Sequence, residues 1–120
     1  MAPQPGDVLR VTVYGAVLHE GILTEEGTVI SNSRRNGRVV EESVRSFANG
    51  RKITNIGPLS DVSPHLAIAH ARTRLGREYK LYSDNCQHFV RRAYRLKPSS
   101  PQRDVFVYGL LALAAFVFVF

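Results

Sequence analysis

The stretch Pro5-Gly6-Asp7-Val8-Leu9-Arg10-Val11-Thr12-Val13-Tyr14 decides the fold class. A Pro-Gly-Asp turn leads into a run dense in β-branched side chains, which fit an extended, pleated backbone better than a helix. It predicts an opening strand over residues 8–14. Working outward, residues 16–23 read as a second strand carrying His19 and Gly21, Glu25-Glu26-Gly27 as a hairpin turn, and residues 28–31 as a third strand. The polar run at 32–38 is expected to be a loop, and Val39-Val40-Glu41 to pair briefly. Ser43 is placed to cap a short helical turn through Phe47, ended by Gly50, and residues 52–56 read as a further strand stopped by Gly57-Pro58. Ser63-Pro64 opens a helix with proline at its first position, running through Leu75 to a stop at Gly76. A short extended piece at 80–82 then leads into an amphipathic run from Asn85 to Tyr94. Strands first and helices after predict an α+β fold, a small antiparallel sheet packed against helices.

The 120 residues suffice for one domain with a modest core, and there is no internal repeat. The single cysteine excludes an intrachain disulfide and a cysteine-rich zinc site, and neither a metal nor a cofactor is expected. The net charge of +6 asks for an acidic partner, and its position indicates which. Arg91, Arg92, Arg95, Lys97 and Arg103 stand just ahead of residues 105–120, which are apolar apart from Gly109 and Tyr108. That arrangement predicts a domain over 1–96, a Pro- and Ser-containing linker over 97–104, and a membrane-anchoring helix over 105–120 beside anionic headgroups. As a helix, the tail's 16 residues would reach about 24 Å, short of the ~30 Å hydrocarbon core, so it spans a thin bilayer or inserts partway. A buried core helix is the other reading, but one apolar all round needs cover on every side. No aromatic-interleaved basic motif for nucleic acid appears, and residues 1–5 lack the features of a secretory signal. The expected location is a membrane surface, with the soluble domain on the cytoplasmic side.

Cys86 lies in Asn85-Cys86-Gln87-His88-Phe89-Val90. Helical spacing puts Cys86, Phe89, Val90 and Ala93 on one face and Gln87 with the arginines on the other, so the thiol falls in the first turn. Ser83 or Asp84 would cap the helix, Asp84 forming a capping box with Gln87. Free N–H groups at that end favour a thiolate and predict a pKa below the ordinary ~8.5. Position alone fits a buried structural cysteine equally well. Among the four histidines, His88 is too close along its helix to face Cys86, and His65 and His70 lie five apart on different faces. His19 remains by elimination as a base for the thiol, although a lone strand histidine is more often structural.

These residues carry a resemblance. Pro5-Gly6-Asp7 before a strand, His19-Glu20-Gly21-Ile22, Gly27-Thr28-Val29-Ile30, Ser46-Phe47-Ala48-Asn49-Gly50 and Asn85-Cys86-Gln87-His88-Phe89-Val90 occur in an order that resembles the lecithin:retinol acyltransferase-like family, or NC-domain proteins. The match covers about residues 5–96. The resemblance implies a circularly permuted papain-like (NlpC-type) fold, Cys86 as nucleophile and His19 as general base and acid. It puts Ser31 at a third, orienting position where many members carry a second histidine. The backbone N–H of Cys86, with Tyr82 as a further donor, is the expected oxyanion site. The activity implied is thiol-dependent acyl transfer or hydrolysis on a phospholipid or other acyl ester. Alternatives are an NlpC-type amidase or peptidase, and a non-catalytic membrane-tethered interaction module of the H-box/NC type.

Overall fold

Five strands pair into one antiparallel sheet, in a computed structural model that describes residues 2–13, 17–80 and 85–95. They are β1 (Val8–Val13), β2 (Val17–Leu23), β3 (Thr28–Ser33), β4 (Arg38–Ser43) and β5 (Thr54–Gly57). Their order across the sheet is β4-β3-β2-β1-β5, so the first four succeed one another as neighbours and β5 returns to the outer side of β1. Three helices follow or interrupt them: α1 (Val44–Ala48), α2 (Pro64–Arg72) and α3 (Cys86–Ala93). The α+β class with an antiparallel sheet is as expected.

Strand alternation sends side chains to two separate cores. Val8, Ile22, Ile30 and Val39 cluster with Ala67 and Ile68 of α2 and with Phe89 and Val90 of α3. Leu9, Val11, Leu23 and Val29 cluster instead with Phe47 and Ala48 of α1. The larger core is tied at its base by Tyr94, fully buried, whose hydroxyl donates to the Gly6 carbonyl and so joins the end of α3 to the entry of β1. On the outside, Arg72 of α2 bridges Glu25 and Glu26 of the β2–β3 turn and Glu41 of β4.

Several boundaries differ from expectation, among them β4, which runs Arg38–Ser43 where only Val39-Val40-Glu41 was expected to pair. β3 runs on to Ser33 because β4 pairs with it residue by residue, Ser31 with Val40, Asn32 with Val39 and Ser33 with Arg38. Satisfied ladder bonds outweigh the weak strand preference of Asn and Ser, and the loop shrinks to residues 34–37. β5 starts two residues later than expected and takes in Gly57. α2 ends at Arg72 rather than Leu75; residues 73–76 continue as turns, and Leu75, 44 % exposed, gains no burial that would extend the helix. The expected extensions through Tyr14, Ala16 and residues 81–82, the linker 97–104 and the apolar segment 105–120 lie outside the described residues. Among the described residues no helix is long and apolar enough to cross a membrane.

Gly21 is required by close approach. A Cβ there would lie 2.5 Å from Val29 Cγ1, 3.0 Å from the Ile30 carbonyl oxygen and 3.1 Å from Phe47 Cε2. The bare backbone lets the Phe47 ring settle onto the sheet. Gly21→Ala is expected to cost about 1–3 kcal/mol through overpacking, read as a lowered urea midpoint with unchanged slope.

Candidate functional site

α3 starts at Cys86 because Asn85 satisfies the helix's free N–H groups. Asn85 Oδ1 accepts from the N–H groups of Gln87 and His88, both at 3.0 Å, while His88 Nδ1 accepts from the Asn85 N–H at 3.3 Å. The result is a reciprocal capping box one residue later than the Asp84–Gln87 box expected. An imidazole nitrogen plays the part usually taken by Glu or Gln, which the usual pattern does not anticipate. His88 thus bonds locally within its own cap and is buried, as is Gln87, which helical spacing had put on the outer face.

The thiol sits at a gap in the sheet. The ladder between β2 and β3 pairs Leu23 with Val29 and Ile22 with Ile30. Leu23 turns its N–H and carbonyl toward the β1 side, bonding to Asp7 and Gly6, so by alternation Ile22, Glu20 and Leu18 turn theirs toward β3. Beyond Ile22 that edge meets Cys86 instead: the Sγ–H donates to the Leu18 carbonyl at 3.5 Å, and the Glu20 N–H acts on the sulfur. His19, between these two residues, points to the opposite side of β2 and packs against Phe47, with ring centroids 4.7 Å apart.

Cys86 and His19 nevertheless line one cavity of about 570 Å³. No hydrogen bond joins them in this state, the thiol's being directed to Leu18. The expected thiolate is overturned by burial, which pushes Cys86 up to about 12. The N–H groups of Glu20, Gln87 and Cys86 itself favour the thiolate, as the helix-terminus argument requires, but a thiol 3 % exposed loses too much hydration for them to prevail. Burial, and secondarily the charge of Arg35, lowers His19 to about 4. The resting pair at neutral pH is thus a thiol and a neutral imidazole.

Ser31 is fully buried, and its hydroxyl makes no hydrogen bond among the described residues. The residue of β3 on the cavity wall is Ser33, two places along on the same face. Its Oγ accepts from the Asn36 N–H at 3.2 Å and from Asn36 Nδ2 at 3.0 Å. Tyr82 lies outside the described residues, whereas Tyr79 lines the cavity. Burial, reinforced by Cys86 and opposed by Arg34, pushes the Tyr79 phenol up to about 12 and keeps it a donor. Arg34, Arg35 and Arg51 also stand on the wall. Sequence reasoning missed Ser33, Tyr79 and the arginines, having placed all but Tyr79 and Arg51 in a loop. Glu20 was missed as well: it is buried on β2 and paired to Arg10 across the strand at 2.9 Å, a partnership that opposite charges on neighbouring strands signal once the register is known.

Arg91, Arg92 and Arg95 lie at the end of α3 and just beyond it, with Arg95 exposed; Lys97 and Arg103 lie outside the described residues. No group of three or more metal-ligating side chains comes together among the described residues. No protein-family model matches the chain, and no curated protein matches it.

His19 gives the fold a specific acid sensitivity. Its ordinary value is 6.5 and its folded value about 4, so between these the unfolded chain binds the extra proton and stability falls as pH falls. The full effect, reached near pH 4, is on the order of 3 kcal/mol. Urea denaturation at pH 7.5 and pH 4.5 is expected to show a larger acid loss for the parent chain than for His19→Gln, which lacks the titrating ring.

Proposed function

We propose that this chain is a membrane-associated cysteine acyltransferase or acyl hydrolase with a circularly permuted papain-like arrangement, acting on a lipid ester through an acyl-thioester. The observation that carries this reading is the meeting of Cys86, from the start of α3, and His19, from β2, on the wall of one cavity. A nucleophile at a helix N-terminus, with an imidazole on the adjoining strand, is an arrangement suited to attack on a carbonyl. The ring, neutral at physiological pH, is in the correct state to accept a proton.

The raised thiol sets the order of events. Cys86 leaves the Leu18 carbonyl, and Sγ attacks the ester carbonyl carbon while His19 takes the thiol proton. The oxyanion is held by the Cys86 N–H, with the Tyr79 hydroxyl in the role expected of Tyr82. Collapse expels the alcohol, to which His19 returns the proton. Water or a lipid acceptor then attacks the thioester carbonyl while His19 takes its proton; collapse breaks the C–S bond, releases the acyl product and returns the proton from His19 to the Cys86 sulfur. Ser33 is better placed than Ser31 to stand as the third polar group, because it shares the cavity wall with His19. The apolar segment 105–120 and the basic residues ahead of it would hold this chemistry at an anionic membrane.

The same thiol also favours a second reading, a membrane-tethered interaction module, since a cysteine held at about 12 is poorly activated at rest. Incubation of the full chain with phospholipid vesicles, followed by intact-mass analysis, separates the two. Acyl transfer predicts an added acyl mass that maps to Cys86, disappears in Cys86→Ala and forms at least ~100-fold more slowly in His19→Gln. No adduct together with peptide-bond cleavage would move the reading to an NlpC-type amidase; no adduct and no cleavage would leave the interaction module.

A further inference from the structure

The cavity that holds Cys86 and His19 has a charge pattern that a thiol site does not itself require. Three arginines line the cavity, Arg34, Arg35 and Arg51, and no Asp or Glu is among the described lining residues. The remainder includes apolar side chains, notably Val17, Leu18 and Phe47. We propose that Arg34 and Arg35 form an anion subsite that selects acyl ligands bearing a net-negative phosphate headgroup over zwitterionic choline lipids, the acyl chain lying on the apolar wall.

The turn that carries Arg34 and Arg35 is held in place. Both lie in the turn between β3 and β4, which is closed by Gly37 N–H donating to the Ser33 carbonyl at 2.8 Å and braced by the two Asn36 bonds to Ser33 Oγ. The far side is fixed by the Tyr79 N–H on the Gly37 carbonyl at 2.9 Å and the Val39 N–H on the Arg77 carbonyl at 2.8 Å. Arg35 commits Nη2 alone, to Glu42 at 3.2 Å and to the Ser46 carbonyl at 3.2 Å, so Nε and Nη1 remain available for a second acceptor. Arg34 donates no hydrogen bond among the described residues, though its charge acts on Tyr79 inside the cavity. That the arginine field penetrates is also seen at His19, where Arg35 opposes protonation.

Guanidinium groups match phosphate oxygens in charge and in planar, forked geometry. A phosphate monoester or an anionic diester supplies a negative charge that no carboxylate among the described lining residues provides. A choline headgroup would bring its own fixed cation into a wall that already holds three, and no carboxylate on that wall would receive it. The subsite names the substrate class for the acyl-transfer reading and rests on it for its role in catalysis, although ligand binding can be measured without any chemistry.

The test uses the full chain carrying Cys86→Ala, in a neutral detergent, titrated calorimetrically with soluble dihexanoyl phosphatidic acid and dihexanoyl phosphatidylcholine. Phosphatidic acid is expected to bind at least tenfold more tightly, and Arg34→Gln with Arg35→Gln to reduce that ratio toward one. Arg34→Gln alone, at a side chain with no hydrogen bond to lose, is expected to lower the ratio by several fold and serves if the double variant fails to fold. Equal binding of the two lipids, or a preference that survives both variants, overturns the proposal. Inorganic phosphate is expected to compete only at concentrations at least tenfold above the lipid; competition at equal concentration would mean a plain phosphate site and would overturn the acyl half. Absence of a Cys86 adduct in the parent chain, with the binding preference intact, would remove the catalytic reading and leave the subsite standing.

Discussion

The interaction on which the rest of the structure turns is the one between a helix start and the strand edge that runs on past its β3 pairing. β2 has two edges, and β1 satisfies one of them along its length. The other pairs with β3 at Ile22 and Leu23, so beyond Ile22 the backbone of β2 on that side meets groups other than the β3 ladder. Buried backbone groups left unpaired cost about 1–3 kcal/mol each, so the edge must be covered. It is covered by Cys86, whose Sγ both donates to Leu18 and receives the influence of the Glu20 N–H. With the Asn85 cap setting where α3 begins, this contact seats that start against β2 beside the Phe89 and Val90 contacts of the larger core. A strand fully paired to β3 would leave no seat for the thiol.

The same constraint accounts for the electrostatics. A group that fills a gap in a sheet is buried by construction, and burial is the first cause of the shifts at Cys86, His19 and Tyr79 alike. All three are driven toward their neutral forms. The site is therefore a set of uncharged donors and acceptors enclosed by a positively charged rim, rather than a standing thiolate and imidazolium. In such a site proton transfer has to accompany bond formation, since separating charge beforehand would pay the desolvation of both ions.

Much of this was legible in the sequence, and the parts that were not share a cause. β1 announces itself through Val8, Val11 and Val13, and the capping of α1 by Ser43 follows from local preference. His19 and Cys86 were both identifiable as candidates, since a single thiol at a helix start leaves few imidazoles able to reach it. The extension of β3 through Asn32 and Ser33 was not, because those residues lie in a strand only by virtue of β4 beside them. Choosing Ser33 rather than Ser31 as the cavity residue depends on where the strand ends, which is a tertiary fact. The thiol's pKa shows the same limit: helix position gives the direction of the local field correctly, but burial is set by residues from β2 that the helix sequence does not contain.

The arginine rim and the buried pair act on each other, and their relative size can be ordered. An anion resting on Arg35 would offset the charge that helps to hold His19 down, making the imidazole a stronger base when a ligand is bound. Arg35 has 48 % of its side chain exposed, however, so water screens much of its field, and its effect on His19 ranks below that of burial. The ligand's acyl chain would displace water and push the other way. The basicity of the ring is therefore governed chiefly by what encloses it, namely Phe47 seated over Gly21, and under the proposed acyl-transfer reading the rim would act on which ligand arrives more than on how readily the proton moves.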